Sequence, residues 1–156
     1  MTFPFPIMVP GVPPSVDQTA GQTFTSSDTF SGLSNTFDDN NGTEWLSGSN
    51  DTGWIQVQFA SAKTFTGYSV TASSTSVTRT PHSWTVQGSN TGAFGGEEVT
   101  LDTQTTVAAW SASEKRTYTI GSPGSYLYMR FNYLAKLDAL GKGNEYALTE
   151  MEMLGY

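Results

Sequence analysis

Two short acidic segments, FDDNNGTEW (Phe37 to Trp45) and LTEMEML (Leu148 to Leu154), constrain this chain more than anything else in it. The first gathers two aspartates, two Asn amides, a Thr hydroxyl and a Gly turn, which is how hard oxygen ligands are collected around a calcium ion. The second lies about a hundred residues downstream. Both can serve one ion only in a fold that brings the two ends of the chain together.

At 156 residues the chain is long enough to bury a core as one domain without covalent staples. Cysteine is absent, which excludes a disulfide framework and a thiolate metal site and leaves the compartment open. Charged residues make up only 13%, the net charge is -7, and the few Lys and Arg are scattered. A phosphate backbone would be repelled, so nucleic acid is not an expected partner, whereas divalent cations and neutral or cationic ligands suit that charge.

Residues 1–16 form a segment of their own: apolar, uncharged until Asp17, and holding five of the seven prolines. Proline fixes φ and removes a donor, so an extended arm is expected, docked onto a symmetry mate or a larger assembly, or folded back on its own domain. The segment lacks the charged start and unbroken apolar core of an export signal, and no apolar run approaches the ~20 residues that span a bilayer. Neither export nor membrane insertion is expected.

From residue 17 to 156 the pattern is that of a single β domain. Trp54 to Phe59 reads WIQVQF, with Ile55, Val57 and Phe59 on one face and two Gln on the other. The same period of two places Tyr68 and Val70, Trp84 and Val86, then Leu127, Met129 and Phe131 inward, with Met151 and Met153 inward between Glu150 and Glu152. Strands are also expected at Arg116 to Ile120, while only Thr29 to Thr36 and Ala135 to Leu140 have room for a turn or two of helix. The expected fold class is all-β, an antiparallel β-sandwich.

In order, FDDNNGTEW, WIQVQF, TGYSV, TPHSWTVQGSNTG, LDT, KRTYTI, YLYMRFN and LTEMEMLGY resemble the discoidin domain, also called the coagulation-factor type C domain, and the similar galactose-binding-like family 32 carbohydrate-binding modules. The resemblance covers about residues 24 to 156. It implies a jelly-roll sandwich with neighbouring termini. It also implies a structural calcium ion held by the Asp38 carboxylate, the Asn35 and Asn40 carbonyls, Thr43 through carbonyl and hydroxyl, the Thr149 carbonyl and the Glu150 carboxylate. Such a set, all oxygen, suits calcium and not zinc. The family usually has Gly where Asp39 stands. The alternative is a metal-free Asx turn with Glu150 exposed on an edge strand.

Relatives bind sugars, lipids or proteins through loops at one end of the sandwich, here Ser47 to Gly53, Ser73 to His82 and Tyr133 to Asn144. Arg79 lies where galactose binders often place an Arg, and Tyr133 and Asn144 are the candidate stacking ring and amide. For Arg79 the alternative is a surface residue paired with a nearby acid. The relatives' frequent His after the early Trp is replaced by Ser47 and Gly48, which leaves a galactose preference open. Trp45 and Trp84 fall at core positions of the family.

With one His and no Cys a hydrolytic triad has little room, and the Glu97/Glu98 and Glu150/Glu152 pairs are adjacent or near-adjacent on strands or carry the metal. No enzymatic activity is expected. The expectation is a calcium-stabilised module that binds cell-surface glycans. Small free-standing domains of this kind resemble bacteriophage decoration, collar and fibre proteins, so a multimeric virion component anchored by residues 1–16 is expected, or else a purely structural assembly protein without glycan binding.

Overall fold

The structure, a computed structural model, describes residues 15–48, 50, 52–136 and 145–156. Most of the expected arm, Asn144 and the greater part of the loop before it lie outside the described residues. All strand pairs are antiparallel, in the order β1 (Val16–Asp17), β8 (Ala147–Gly155), β4 (Gly53–Ala72), β7 (Lys115–Lys136), β5 (Pro81–Ser89) and β6 (Val99–Gln104). Two short strands complete the set: β2 (Thr23–Ser26) pairs with β4 and β3 (Trp45–Leu46) with β8. The architecture is the all-β jelly-roll of galactose-binding-like modules.

The layering comes from two long strands that bend. β4 pairs with β7 from Thr71↔Lys115 to Gly67↔Thr119, shifts past residues 120–123 to Phe65↔Gly124 and Lys63↔Tyr126, and loses register a second time before the stretch from Gln58↔Tyr128 to Gly53↔Tyr133. Ala60, Ser61 and Ala62 stand exposed at that break. The first half of β4 joins β2, the second half joins β8, so one strand pair serves both sides of the core. Strand segments expected to be separate, Trp54–Phe59 with Gly67–Ala72 and Arg116–Ile120 with Tyr126–Tyr133, are therefore the two arms of β4 and of β7.

The period of two holds except at Leu127, expected inward but only half-buried and outside the core. Ile55, Val57, Phe59, Tyr68, Val70, Trp84, Val86, Met129, Phe131, Met151 and Met153 are all buried, and Trp45 and Trp84 belong to the core. In place of the expected helix at Thr29 to Thr36 stands one short 3₁₀ turn, Leu33–Phe37, lying against β8. Ala135 and Lys136 continue β7. Among the described residues no helix is long and apolar enough to cross a membrane.

Candidate functional site

The two acidic segments do meet. Asp38 closes the 3₁₀ turn, and its Oδ1 accepts the Asn40 N–H at 3.0 Å while Glu150 Oε2, reaching over from β8, accepts the same N–H at 3.2 Å. The Thr43 hydroxyl lies 2.9 Å from both Asp38 Oδ2 and the Asn40 carbonyl. Asp39 occupies the left-handed region at φ 56, which explains why relatives can place Gly there and why a short Asp is tolerated. Asn35 braces the loop by donating its amide to the Glu44 carbonyl at 3.0 Å. Thr149 is buried, its hydroxyl turned to the Ala72 carbonyl at 2.9 Å.

Glu150 is only 4% exposed, so it does not stand on an open edge, whereas the Asx turn of the alternative reading is present in the Asn40 N–H bond to Asp38 Oδ1. Burial raises its carboxyl to about 8, and the neighbouring Asp38 and Asp39 charges push the same way against hydrogen bonds from the Met151 and Asn40 amides. A carboxylate driven out of water beside two other acids, with carbonyl and hydroxyl oxygens around it, is a donor set that a hard dication would satisfy. No group of three or more Asp, Glu, His or Cys in metal-holding geometry occurs among the described residues, so any ion here depends on those neutral oxygens.

The loop end of the sandwich lies next to this nest. Ser73 to Thr80 is pre-ordered: Ser73 Oγ accepts the Ser76 N–H at 2.7 Å and donates to Glu44, and Thr80 Oγ1 accepts the Ser73 N–H at 3.2 Å. A second 3₁₀ turn, Val77–Arg79, sets Arg79 Nη1 at 2.7 Å from Glu145 Oε2. Arg79 is thus the paired surface residue of the alternative reading and still about a quarter exposed at the rim, its side chain at 26%.

Tyr133 is a correction. It is fully buried, its ring 4.4 Å from that of Tyr146 and 5.7 Å from that of Trp45, so it is core and cannot offer a stacking face to a ligand. Gly53 permits this packing, because a Cβ there would stand 2.2 Å from the Tyr133 hydroxyl. Phe30 is the aromatic that sequence reasoning missed. It is 73% exposed, yet its backbone is fixed by N–H bonds from Phe30 and Ser31 to the Leu46 carbonyl and from Leu46 back to Ser31. Leu46 pairs with Ala147, and the next residues, Ser47 and Tyr146, are cross-bonded, which leads directly to Glu145 and Arg79. Gly48, where relatives often carry His, makes room for Asp28, whose Oδ1 would lie 2.0 Å from a Cβ at that position.

The carboxylate pairs considered for hydrolysis are engaged elsewhere. Glu152 takes Lys115 at 2.6 Å and the Ser69 hydroxyl at 2.9 Å, while Glu97 holds its own loop through Ser89 and Thr91.

A family model described as the NedA-like, galactose-binding domain matches residues 35–131, more than half of the chain. This chain belongs to that family. No curated protein sequence matches it. Among solved structures it is similar to chitosan-binding module 1 of a chitosanase/glucanase from Paenibacillus sp. IK-5, at 23% identity and TM-score 0.69 over 90% of this chain and 98% of that one. It is also similar to the family 32 module of NanJ from C. perfringens in complex with galactose (14%, TM-score 0.68, 90% and 98%) and to the AlyQ family 32 module in complex with 4,5-unsaturated mannuronic acid (15%, TM-score 0.60, 84% and 92%). These likenesses show a shared fold. Several of the matched solved chains are carbohydrate-binding modules, and one of these also contains an alginate lyase domain.

Proposed function

We propose that this domain is a non-catalytic carbohydrate-binding module whose loop end grips a glycan between Phe30 and the Arg79–Glu145 pair. The observation that carries the reading is Phe30: a 73% exposed aromatic whose backbone is bonded to Leu46, at the end where the loops converge. Water wets such a face poorly, and the C–H face of a pyranose covers it while planar charged groups take the hydroxyls. Among the described residues the rim carries Asp28, Glu44 and Glu145 against Arg79 and Lys136, an acidic balance that favours neutral or amino sugars over acidic ones. The differing ligands named for the similar modules, chitosan among them, fit a fold whose loops set the sugar.

A structural calcium ion held by Asn35, Asp38, Asn40, Thr43, Thr149 and Glu150 belongs to the same proposal, supported by the buried Glu150 carboxylate. The ion would neutralise that charge and fasten the early loop to β8. The wider setting, a multimeric virion surface component anchored through residues 1–16, is supported by the apolar Pro-rich composition of that segment. Several copies would raise weak single-site affinity by multivalency.

The test is a glycan array of the full chain, in calcium and in chelator, alongside Phe30→Ala and Arg79→Ala. Binding to a defined neutral or amino sugar that both substitutions weaken supports the reading. Silence across an array that includes bacterial surface polysaccharides overturns it in favour of a purely structural block.

A further inference from the structure

A second constellation lies on the outer face of the sheet, beginning at Trp54 and Asn132, the strand residues next to the loops that start at Gly53 and Tyr133. Trp54 and Gln56 on β4, and Arg130 and Asn132 on β7, alternate with the buried Ile55, Val57, Met129 and Phe131, so their side chains stand on the face opposite the core. Arg130 Cζ lies 4.2 Å from the centroid of the Trp54 ring and 3.7 Å from that of Phe94. Two aromatic rings thus hold one guanidinium.

Gln56 Oε1 accepts from Nε at 3.1 Å and from Nη2 at 2.7 Å, which occupies the side edge of the guanidinium. Of the five N–H groups an arginine owns, the end-on fork formed by Nη1 and the rest of Nη2 has no protein acceptor, and Nη1 is not fully buried. No ion pair among the described residues includes Arg130. The carboxylate that acts on it from a distance, Glu98, is turned to the Gly96 N–H at 2.8 Å. Burial pulls the Arg130 guanidinium below its usual range, a sign that this cation is partly stripped of water, where an arriving anion gains most. In a chain of net charge -7 such a cation is not part of a general basic surface.

The loop that brings Phe94 over is built at a cost. Phe94 sits at φ 47, a conformation that disfavours residues with a Cβ by about 1 kcal/mol. Glu97 holds it there, accepting the Phe94 N–H at 3.2 Å, the Ser89 hydroxyl at 2.6 Å and the Thr91 hydroxyl at 2.9 Å. The neighbouring amides are locked as well, with Asn132 Nδ2 donating to Thr85 Oγ1 at 3.1 Å and Gln87 Oε1 at 2.9 Å. A guanidinium that has already lost its freedom binds a planar carboxylate with little further ordering.

We propose that this face is a second binding site, in which the end-on fork of Arg130 takes the carboxylate of a uronic acid residue in a linear glycan, with the ring resting beside Trp54 and the Gln56 and Asn132 amides. The anion site stands on its own geometry; the choice of an acidic sugar over an acidic peptide rests on the glycan-binding reading above.

The test titrates the full chain with a tetramer of glucuronic acid, its methyl ester and a tetraglutamate peptide at fixed calcium. The wild type binds the acid about tenfold or more tighter than the ester, the difference that one charge-assisted bidentate contact supplies. Arg130→Gln removes that preference, Arg130→Lys restores it only in part, and Arg79→Ala keeps it. Independently of any variant, the acid shifts the indole N–H resonance of Trp54 and leaves those of the buried Trp45, Trp84 and Trp110 in place. Equal binding of acid and ester, preference for the peptide, or a preference lost in Arg79→Ala and retained in Arg130→Gln would each overturn the proposal. Neutral-sugar binding through Phe30 is untouched by those results, so failure here is separate from failure of the loop-end site.

Discussion

Tyr68 and Glu150 sit on adjacent strands, both all but removed from water, and their polar atoms meet opposite fates. The Tyr68 hydroxyl accepts the Trp84 Nε1–H at 2.8 Å and donates to Asp102 Oδ2 at 2.5 Å, which also accepts Gln104 Nε2 at 2.9 Å. Burial first, and the bond to Asp102 second, push its ionisation far above the ordinary tyrosine range, so it stays a neutral link between β4, β5 and β6. Glu150 has amide donors only, from Asn40 and Met151, and acids for neighbours. A polar group closed within its own network is structural; a buried carboxyl beside other acids keeps its proton or takes a counter-charge from outside the chain.

The largest expected effect breaks or confirms that contrast. Calcium at about 1,000 times its dissociation constant stabilises a folded state by roughly 4 kcal/mol. Thermal unfolding in saturating calcium and in chelator therefore differs by many degrees for the wild type. The difference vanishes in Glu150→Gln and shrinks in Asp38→Asn. In chelator Glu150→Gln is no less stable than wild type at pH above 8, because the replaced charge had no counter-charge and the amide oxygen still accepts from Asn40. A calcium shift that survives Glu150→Gln would remove the ion from this nest.

Tyr68→Phe comes next. It strands the Trp84 indole N–H in the core and takes a donor from Asp102, at a cost of about 2 kcal/mol. Chemical denaturation measures it, and the loss is the same with and without calcium. A loss that changed with calcium would mean that the two constellations are coupled.

How much of this was open to reading follows the same division. That Asp38, Asn40, Thr43 and Glu150 come together was legible because their residue types are gathered in two short acidic segments. The inward faces of β4, β5 and β7 were legible through their period of two. The bends were not: Gly121, Ser122, Pro123 and Gly124 look like a turn, yet β7 runs through them, since the register shift between Phe65↔Gly124 and Gly67↔Thr119 lets the strand pass a proline without losing a ladder bond. Tyr133 was misread as a loop residue although the alternation of Met129 and Phe131, carried two residues further, places it inside. Phe30 had no periodic signal at all, being a lone aromatic among Ser, Thr and Asp, and only its exposure in the folded chain marks it. The burial of Glu150 was equally hidden, because an acid next to an inward-facing methionine on an alternating strand reads as outward-facing until the Leu33–Phe37 turn and the loop after it are seen to cover it.

The pH dependence sharpens the contrast further. The folded-state pKa of Glu150, about 8, lies above its unfolded value of 4.5. In chelator this group's contribution is therefore fully present below pH about 4.5 and is lost as pH rises toward and through about 8, because over that interval the folded state holds a proton that the unfolded state has released. Calcium displaces that proton and flattens the slope. Stability measured from pH 5 to 9 in chelator, wild type against Glu150→Gln, isolates the term. Parallel slopes in the two proteins would mean that Glu150 is already ionised in the folded state.

The smallest stability effects fall on the surface residues, and there the smallness is the evidence. Phe30 is mostly exposed, and the Arg79–Glu145 pair sits at a wet rim where ion pairs contribute under about 1 kcal/mol. Phe30→Ala and Arg79→Ala leave the unfolding midpoint in denaturant nearly where it was. Glycan affinity falls by about tenfold or more in each, the loss of one stacking or charge-assisted contact. Residues that matter to binding and not to folding are what a ligand surface requires, in contrast to Tyr133, whose truncation to Ala at a fully buried site costs several kcal/mol, roughly 3 or more, whether or not a sugar is present. If Phe30→Ala unfolds the domain while Tyr133→Ala does not, the assignment of core and rim at this end of the sandwich is inverted.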